Sequence, residues 1–234
     1  IILDRLPNTI LLFTTSVILA ALVGVFLGKI ASWEKGSKKD VWMTIGALAS
    51  HTVFVPWLAL ILIWIFAYKL GWFPITGMIS EEVWLDPDSG PLAKLVDILH
   101  HMVLPLITLF LIHFGSYLLI MRTSMLETLK EDYILTARAK GLSEKAIRNN
   151  HAAPTAALPV VTTVGINLAF SINGGALTET VFTWPGIGRE LVFSVSNNDY
   201  PLAQACFLLI ALVVLVANLV VDIIYAYLDP RIRY

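Results

Sequence analysis

Five stretches of this sequence carry no charged side chain, at 6–28, 41–68, 98–121, 149–178 and 200–221, and each is at least 22 residues long. A helix crossing the hydrocarbon core of a bilayer needs about 20 such residues. Backbone N–H and C=O groups find no water there, so each run must satisfy its own hydrogen bonds as a helix. The expected fold is therefore all-α and integral to the membrane. It forms a single transmembrane domain over 1–234, with spans near 7–29, 41–68, 98–121, 155–179 and 201–228. Composition agrees: 57% of the residues are hydrophobic and 14% charged, where a soluble domain has about a quarter charged. Cys206 is the one cysteine, which excludes a disulfide framework and a cluster of soft metal ligands.

The basic residues orient these spans. The connectors 29–40 and 122–148, with the tail after Asp229, hold 12 of the 16 Lys and Arg residues. The positive-inside rule places them in the cytoplasm, together with the C-terminus. The connector 70–97 carries Glu81, Glu82, Asp86, Asp88 and Asp97 and is expected outside, its tryptophans in the interfacial aromatic belt. His100 and His101 are adjacent, so on a helix they point in different directions, and they read as interfacial polar residues with no metal site. The chain opens on Ile1 without a signal peptide pattern, and 3–8 already leads into a helix. An earlier helix is therefore expected in the whole protein, giving six.

Between the third and fourth runs lies a polar corner, expected at 127–154. Glu127 to Lys140 contains strong helix formers and no Pro or Gly, with Glu131 and Asp132 early and Arg138 and Lys140 late, as the helix dipole favours. Gly141 suits a C-cap, and Ser143 with Glu144 begins a second helix before Pro154. Ile134, Ala137 and Gly141 share a small, apolar face that another protein could approach closely. The competing reading is an amphipathic helix lying on the lipid interface.

The corner resembles the cytoplasmic "EAA" loop of ABC importer permeases, whose glycine is followed 13 residues later by proline, as Gly141 and Pro154 are. Thr136 to Ser143 looks like the dipeptide and oligopeptide (peptide/oligosaccharide/nickel) branch. Leu135, Thr136 and Ala153 depart from the general pattern at its Glu, first Ala and Leu positions. Glu179 to Arg189 (ETVFTWPGIGR), Asp199-Tyr200-Pro201, the C-terminal Asp229 to Arg233 and Arg5 to Thr9 match the same branch, so the resemblance spans nearly the whole chain.

This resemblance implies a type I ABC importer permease fold. It also implies a second homologous permease, two cytoplasmic ATPases and an external solute-binding protein as partners, in a prokaryotic plasma membrane. Peptides, oligosaccharides or nickel chelates are the implied solutes. The corner, through Ile134, Ala137, Arg138, Lys140, Gly141, Leu142 and Ser143, would dock on an ATPase. A gradient-driven secondary transporter or channel is the alternative.

The external turn contains Glu179, Phe182, Trp184, Pro185, Gly186 and Gly188. It reads either as a structural turn with Trp184 anchored among headgroups or as a solute gate. Glu179 is expected within reach of water. Asn167 and Asn173 are pathway candidates, and Asn173 with its neighbouring glycines could also serve helix packing. His51 and His113 read as isolated residues satisfying helix contacts.

No phosphate-binding GxxxxGK[ST] loop, GxGD motif or HExxH pair occurs. The chain is expected to have no catalytic residue and no cofactor of its own, ATP and magnesium belonging to partner subunits. Nothing in its charge distribution suggests a nucleic acid partner.

Overall fold

The computed structural model describes residues 2–170 and 175–228, apart from the side chains of 169, 217 and 220–228. Every regular element among them is helical. In chain order they are α1 (Ile2–Trp33), α2 (Lys38–Thr52), α3 (Val55–Leu62, continued by π-helical turns over Ile63–Lys69), α4 (Glu81–Leu85) and α5 (Pro91–Thr128). Then follow α6 (Asp132–Ala139), α7 (Glu144–Ala146, continued as π-helix over Ile147–Ala152), α8 (Ala153–Ala156), α9 (Leu158–Phe170), α10 (Ala176–Val181), α11 (Ile187–Ser196) and α12 (Tyr200–Leu228).

Among the described residues, α1 and α5 are each long and apolar enough to cross a membrane. The 38 residues of α5 reach about 57 Å, so its helix extends well past the uncharged 98–121 segment at both ends. The 41–68 run differs from the single span expected. It is two helices, interrupted at Val53 and Phe54, where Phe54 is extended (φ −71°, ψ 118°). Pro56 is the cause: it has no N–H to give the Thr52 carbonyl, and its ring would strike that carbonyl if the helix ran through. The 155–179 run is also divided, because Gly175 (φ −118°, ψ 87°) is not helical and caps the start of α10.

The chain forms two compact units. The first comprises Ile1–Ser16, Val53–Leu109 and Leu168–Tyr234, the second Val17–Thr52 and Phe110–Asn167. In the first, Leu12, Phe13, Met102, Leu109 and Trp184 form one buried cluster, and Ala59, Leu62, Ala67, Leu104 and Phe182 form another.

The second unit is built on close helix approach. Gly24 and Gly28, a GxxxG pair on α1, bring its backbone onto α5. A Cβ at Gly24 would lie 2.6 Å from the Tyr117 Cβ, and one at Gly28 2.6 Å from the Leu118 carbonyl oxygen. Gly115 of α5 likewise abuts Ala47 and Ser50 of α2. Small residues suit membrane helices, which gain from contact dispersion where lipid offers no hydrophobic drive.

At the charged end of this unit, Asp40 joins the start of α2 to α5. Arg122 donates to it from Nε at 2.6 Å and from Nη2 at 2.8 Å, and the Gly36 N–H donates at 3.0 Å. The Arg122 guanidinium holds the Asp40 carboxyl at about 2 against the opposing effect of burial.

Candidate functional site

The polar corner lies entirely in the second unit. It starts later than its sequence suggests: α5 runs on to Thr128, a turn follows, and Glu131 is the extended N-cap residue of α6 (φ −70°, ψ 148°). Glu131 and Asp132 thus sit where the N-terminal dipole favours negative charge. α6 ends in a Schellman motif. Gly141 has φ +76°, its N–H donates to the Arg138 carbonyl at 2.9 Å, and the Leu142 N–H donates to the Ala137 carbonyl at 3.3 Å. Ser143 then caps the next helix, its Oγ accepting from the Ala146 N–H at 3.3 Å. Arg138 and Glu144 bridge the turn at 3.2 Å, an exposed pair of small energetic weight.

The direction of two residues corrects the reading from spacing. Ile134 and Ala137 are 0% and 5% exposed, turned inward where α6 packs on the Ile147–Ala152 turns. Tyr133 reinforces this seat through hydrogen bonds from its hydroxyl to Thr155 Oγ1 and the His151 carbonyl. These residues fasten the corner to its own chain. The outward face carries Leu135 (55% exposed) and Leu142 (40%) beside Arg138, Lys140, Gly141 and Ser143. Nothing lies within 4 Å of a Cβ built at Gly141.

The Trp184–Gly188 turn lies in the first unit and wraps a buried carboxylate. Glu179 on α10 is 0% exposed, which overturns its expected contact with water. Its Oε1 accepts from the Thr9 hydroxyl at 2.8 Å and its Oε2 from the Arg189 N–H at 3.0 Å. Thr9 Oγ1 in turn accepts from the Ile187 N–H at 2.9 Å. One residue upstream, Trp184 Nε1 donates to the Asn8 carbonyl at 3.0 Å, and Asn8 Nδ2 donates to the Pro185 carbonyl at 3.0 Å. Trp184 is 0% exposed within its apolar cluster, so it is a core residue here and not a headgroup anchor.

Both glycines of this turn are required by contact. A Cβ at Gly186 would collide with the Glu179 carboxylate, and one at Gly188 would lie 2.7 Å from the Ala176 Cα. Phe182 is also buried. An open cavity of about 700 Å³ borders the turn, with Asp4, Arg5, Trp84, Pro185 and Arg189 among its lining residues.

Asn167 donates to the Tyr117 hydroxyl at 2.8 Å, so its amide is engaged within the second unit. Asn173 lies outside the described residues. Asp97 organises the neighbouring connector, a role spacing alone did not reveal. It accepts from the Ser80 N–H and hydroxyl, both at 2.8 Å, and from Trp84 Nε1 at 3.2 Å. Burial raises this carboxyl, but those donors together with nearby His101 outweigh it and hold it below the ordinary range. His100 bonds the Trp72 carbonyl and His101 that of Asp97, so both imidazoles serve connector structure.

Residues 20–234 match the sequence family described as binding-protein-dependent transport system inner membrane component. The chain belongs to this family. It is 36% identical to the di/tripeptide transport system permease protein DppB of Pseudomonas aeruginosa, over 99% of this chain and 72% of that one. It is also 36% identical to the oligopeptide permease AppB of Bacillus subtilis (100% and 72%), and 38% identical to a probable peptide permease of Sinorhizobium fredii (99% and 71%). Its fold matches a chain of the MetNI methionine ABC transporter in an inward-facing form, with a TM-score of 0.69 at 14% identity over 98% and 96% of the two chains.

The protein is thus an ABC importer permease of type I fold in an inner membrane. The permease is the membrane subunit: ATP is hydrolysed on separate ATPase subunits, and a substrate-binding protein belongs to the system. That assignment displaces the gradient-driven alternative.

Proposed function

We propose that this permease conducts peptides, pairing with a second homologous permease above two cytoplasmic ATPases that bind ATP and magnesium. The substrate class rests on the printed names of its relatives, which are di/tripeptide, oligopeptide and peptide permeases. An external binding protein presents the peptide near the Trp184–Gly188 turn, and the C-terminus and the Gly141 corner lie in the cytoplasm of a prokaryotic cell, as the Lys and Arg distribution favours.

One observation carries the coupling assignment. The corner is fastened from beneath by Ile134 and Ala137 while Leu135 and Leu142 stand exposed on its outer face. A surface leucine pair flanked by Arg138 and Lys140 is suited to an apolar cleft with an acidic rim, and the rigid seat would pass motion of that cleft to α5 and α9. Leu135 stands where the general family pattern has Glu, so contact there is apolar in this permease. In this reading Glu179, Trp184, Gly186 and Gly188 hold the Trp184–Gly188 turn together, and a solute gate at the turn would have to break the Thr9 and Asn8 bonds.

The test is the double variant Leu135→Asp with Leu142→Asp, purified through a tag on this chain from cells expressing the whole system. Both side chains are exposed, so the permease should insert normally. Loss of the co-purifying ATPase and of peptide uptake is expected; retention of both would remove the docking face from these residues.

A further inference from the structure

One polar group in the second unit is used by neither site described above. α2 stops at Thr52, inside the long uncharged run, and its last turn reads Ser50-His51-Thr52. His51 Nε2 is hydrogen-bonded to Ser116 Oγ of α5, and His113 stands one turn before Ser116 on the same face. The His113 ring is close enough to His51 for the two to interact electrostatically. Ser50 Oγ bonds back to the Ala47 carbonyl and Thr52 Oγ1 to the Ala49 carbonyl, covering part of the helix end.

The depth of this group follows from helix geometry. The Asp40–Arg122 pair marks the charged level. His51 lies 11 residues beyond Asp40 and His113 lies 9 before Arg122, which places both rings roughly 13 to 17 Å above that level. That is near the middle of a hydrocarbon core about 30 Å thick. His51 and Thr52 are nonetheless exposed on the surface of this chain, and His113 and Ser116 are part-exposed. Imidazoles, hydroxyls and a helix end with unsatisfied carbonyls are costly in lipid, so at this depth they belong on a water-filled cavity.

We propose that Ser50, His51, Thr52, His113 and Ser116 form a polar step in the solute pathway that hydrogen-bonds the N–H groups of a passing peptide. The C-terminal carbonyls of α2 carry partial negative charge, which suits amide and amino-terminal donors, and the imidazoles add further polar nitrogens, His51 through Nδ1 since its Nε2 is bonded to Ser116. The peptide chemistry rests on the function proposed above; the place of the step in the pathway does not.

Cys206 is the one cysteine of this sequence and is buried; with it and any cysteine elsewhere in the complex replaced, an introduced thiol reports its own surroundings. In the full complex carrying Cys206→Ala, Thr52→Cys and Ser116→Cys are compared with Leu22→Cys, an apolar, exposed position on α1. The complex is reconstituted in vesicles and treated with a charged methanethiosulfonate reagent, after which uptake is measured. Modification at Thr52→Cys and Ser116→Cys should be at least about tenfold faster than at Leu22→Cys, because thiolate forms in water and not in lipid, and it should stop uptake. Rates equal to that of Leu22→Cys would place the group against lipid or the second permease, and rapid labelling with undiminished uptake would place it in a side cavity; either overturns the proposal. If the unmodified complex transports a solute that is not a peptide, the substrate class fails while the labelling still decides the step.

Discussion

Removing the charge from either partner of the Asp40–Arg122 pair should destabilise the second unit by about 2 to 3 kcal/mol. The magnitude follows from the carboxyl, which titrates at about 2 in place of 3.8. Nearly two pH units correspond to about 2 to 3 kcal/mol of preference for the charged form, or roughly sixtyfold in an equilibrium constant. The Arg122 and Asp40 side chains are only 21% and 4% exposed, so solvent screens the pair weakly. Asp40→Asn and Arg122→Gln keep the shape and remove the charge. Each single change should cost about 2 to 3 kcal/mol, below the 3 to 5 typical of fully buried pairs. The double variant should cost little more than either single, a coupling of about 2 kcal/mol.

The assay is unfolding of the purified permease by dodecyl sulfate, followed by tryptophan fluorescence. Its pH dependence has a definite sign. Because the folded value lies below the unfolded one, the contribution is fully present above about pH 5 and is lost as pH falls through 4 toward 2. Asp40→Asn should lack this dependence. Additive single effects, with a coupling under about 0.5 kcal/mol, would refute the view that this ion pair fastens α2 to α5.

Two further predictions concern the glycine turns and the buried tryptophan. Gly186→Ala should cost more than Gly141→Ala: the first drives a methyl group into the Glu179 carboxylate, the second meets open space and bears only left-handed backbone strain of about 1 kcal/mol. Equal thermal stabilities for the two variants would contradict the contact geometry. Trp184→Ala empties a fully buried site and removes the bond to Asn8, so a loss of about 3 to 5 kcal/mol is expected in the same unfolding assay; under 1 kcal/mol would show that the cluster collapses around the vacancy.

Charge-free runs and Lys and Arg placement were enough to read a helical membrane protein from the sequence, because hydrocarbon leaves a backbone no other means of satisfying its polar groups. The end of α6 was legible too. Gly141 and Ser143 act through bonds that span only a few residues, so their roles are set by local sequence. Direction was not legible. Ile134 and Ala137 belong to an apolar face, but spacing cannot tell whether that face meets a partner or the chain's own turn at 147–152. Nor does any local rule reveal that Thr9 and Glu179, 170 residues apart, share a hydrogen bond, or that Asp40 faces Arg122. Hydropathy also conceals the break after Thr52, since a proline interrupts a helix without interrupting an apolar run. Sequence alone determined the solvent in which this chain must live and the ends of its local helices; tertiary structure decided which polar groups are paired and which are buried, since those contacts depend on segments far apart in the chain.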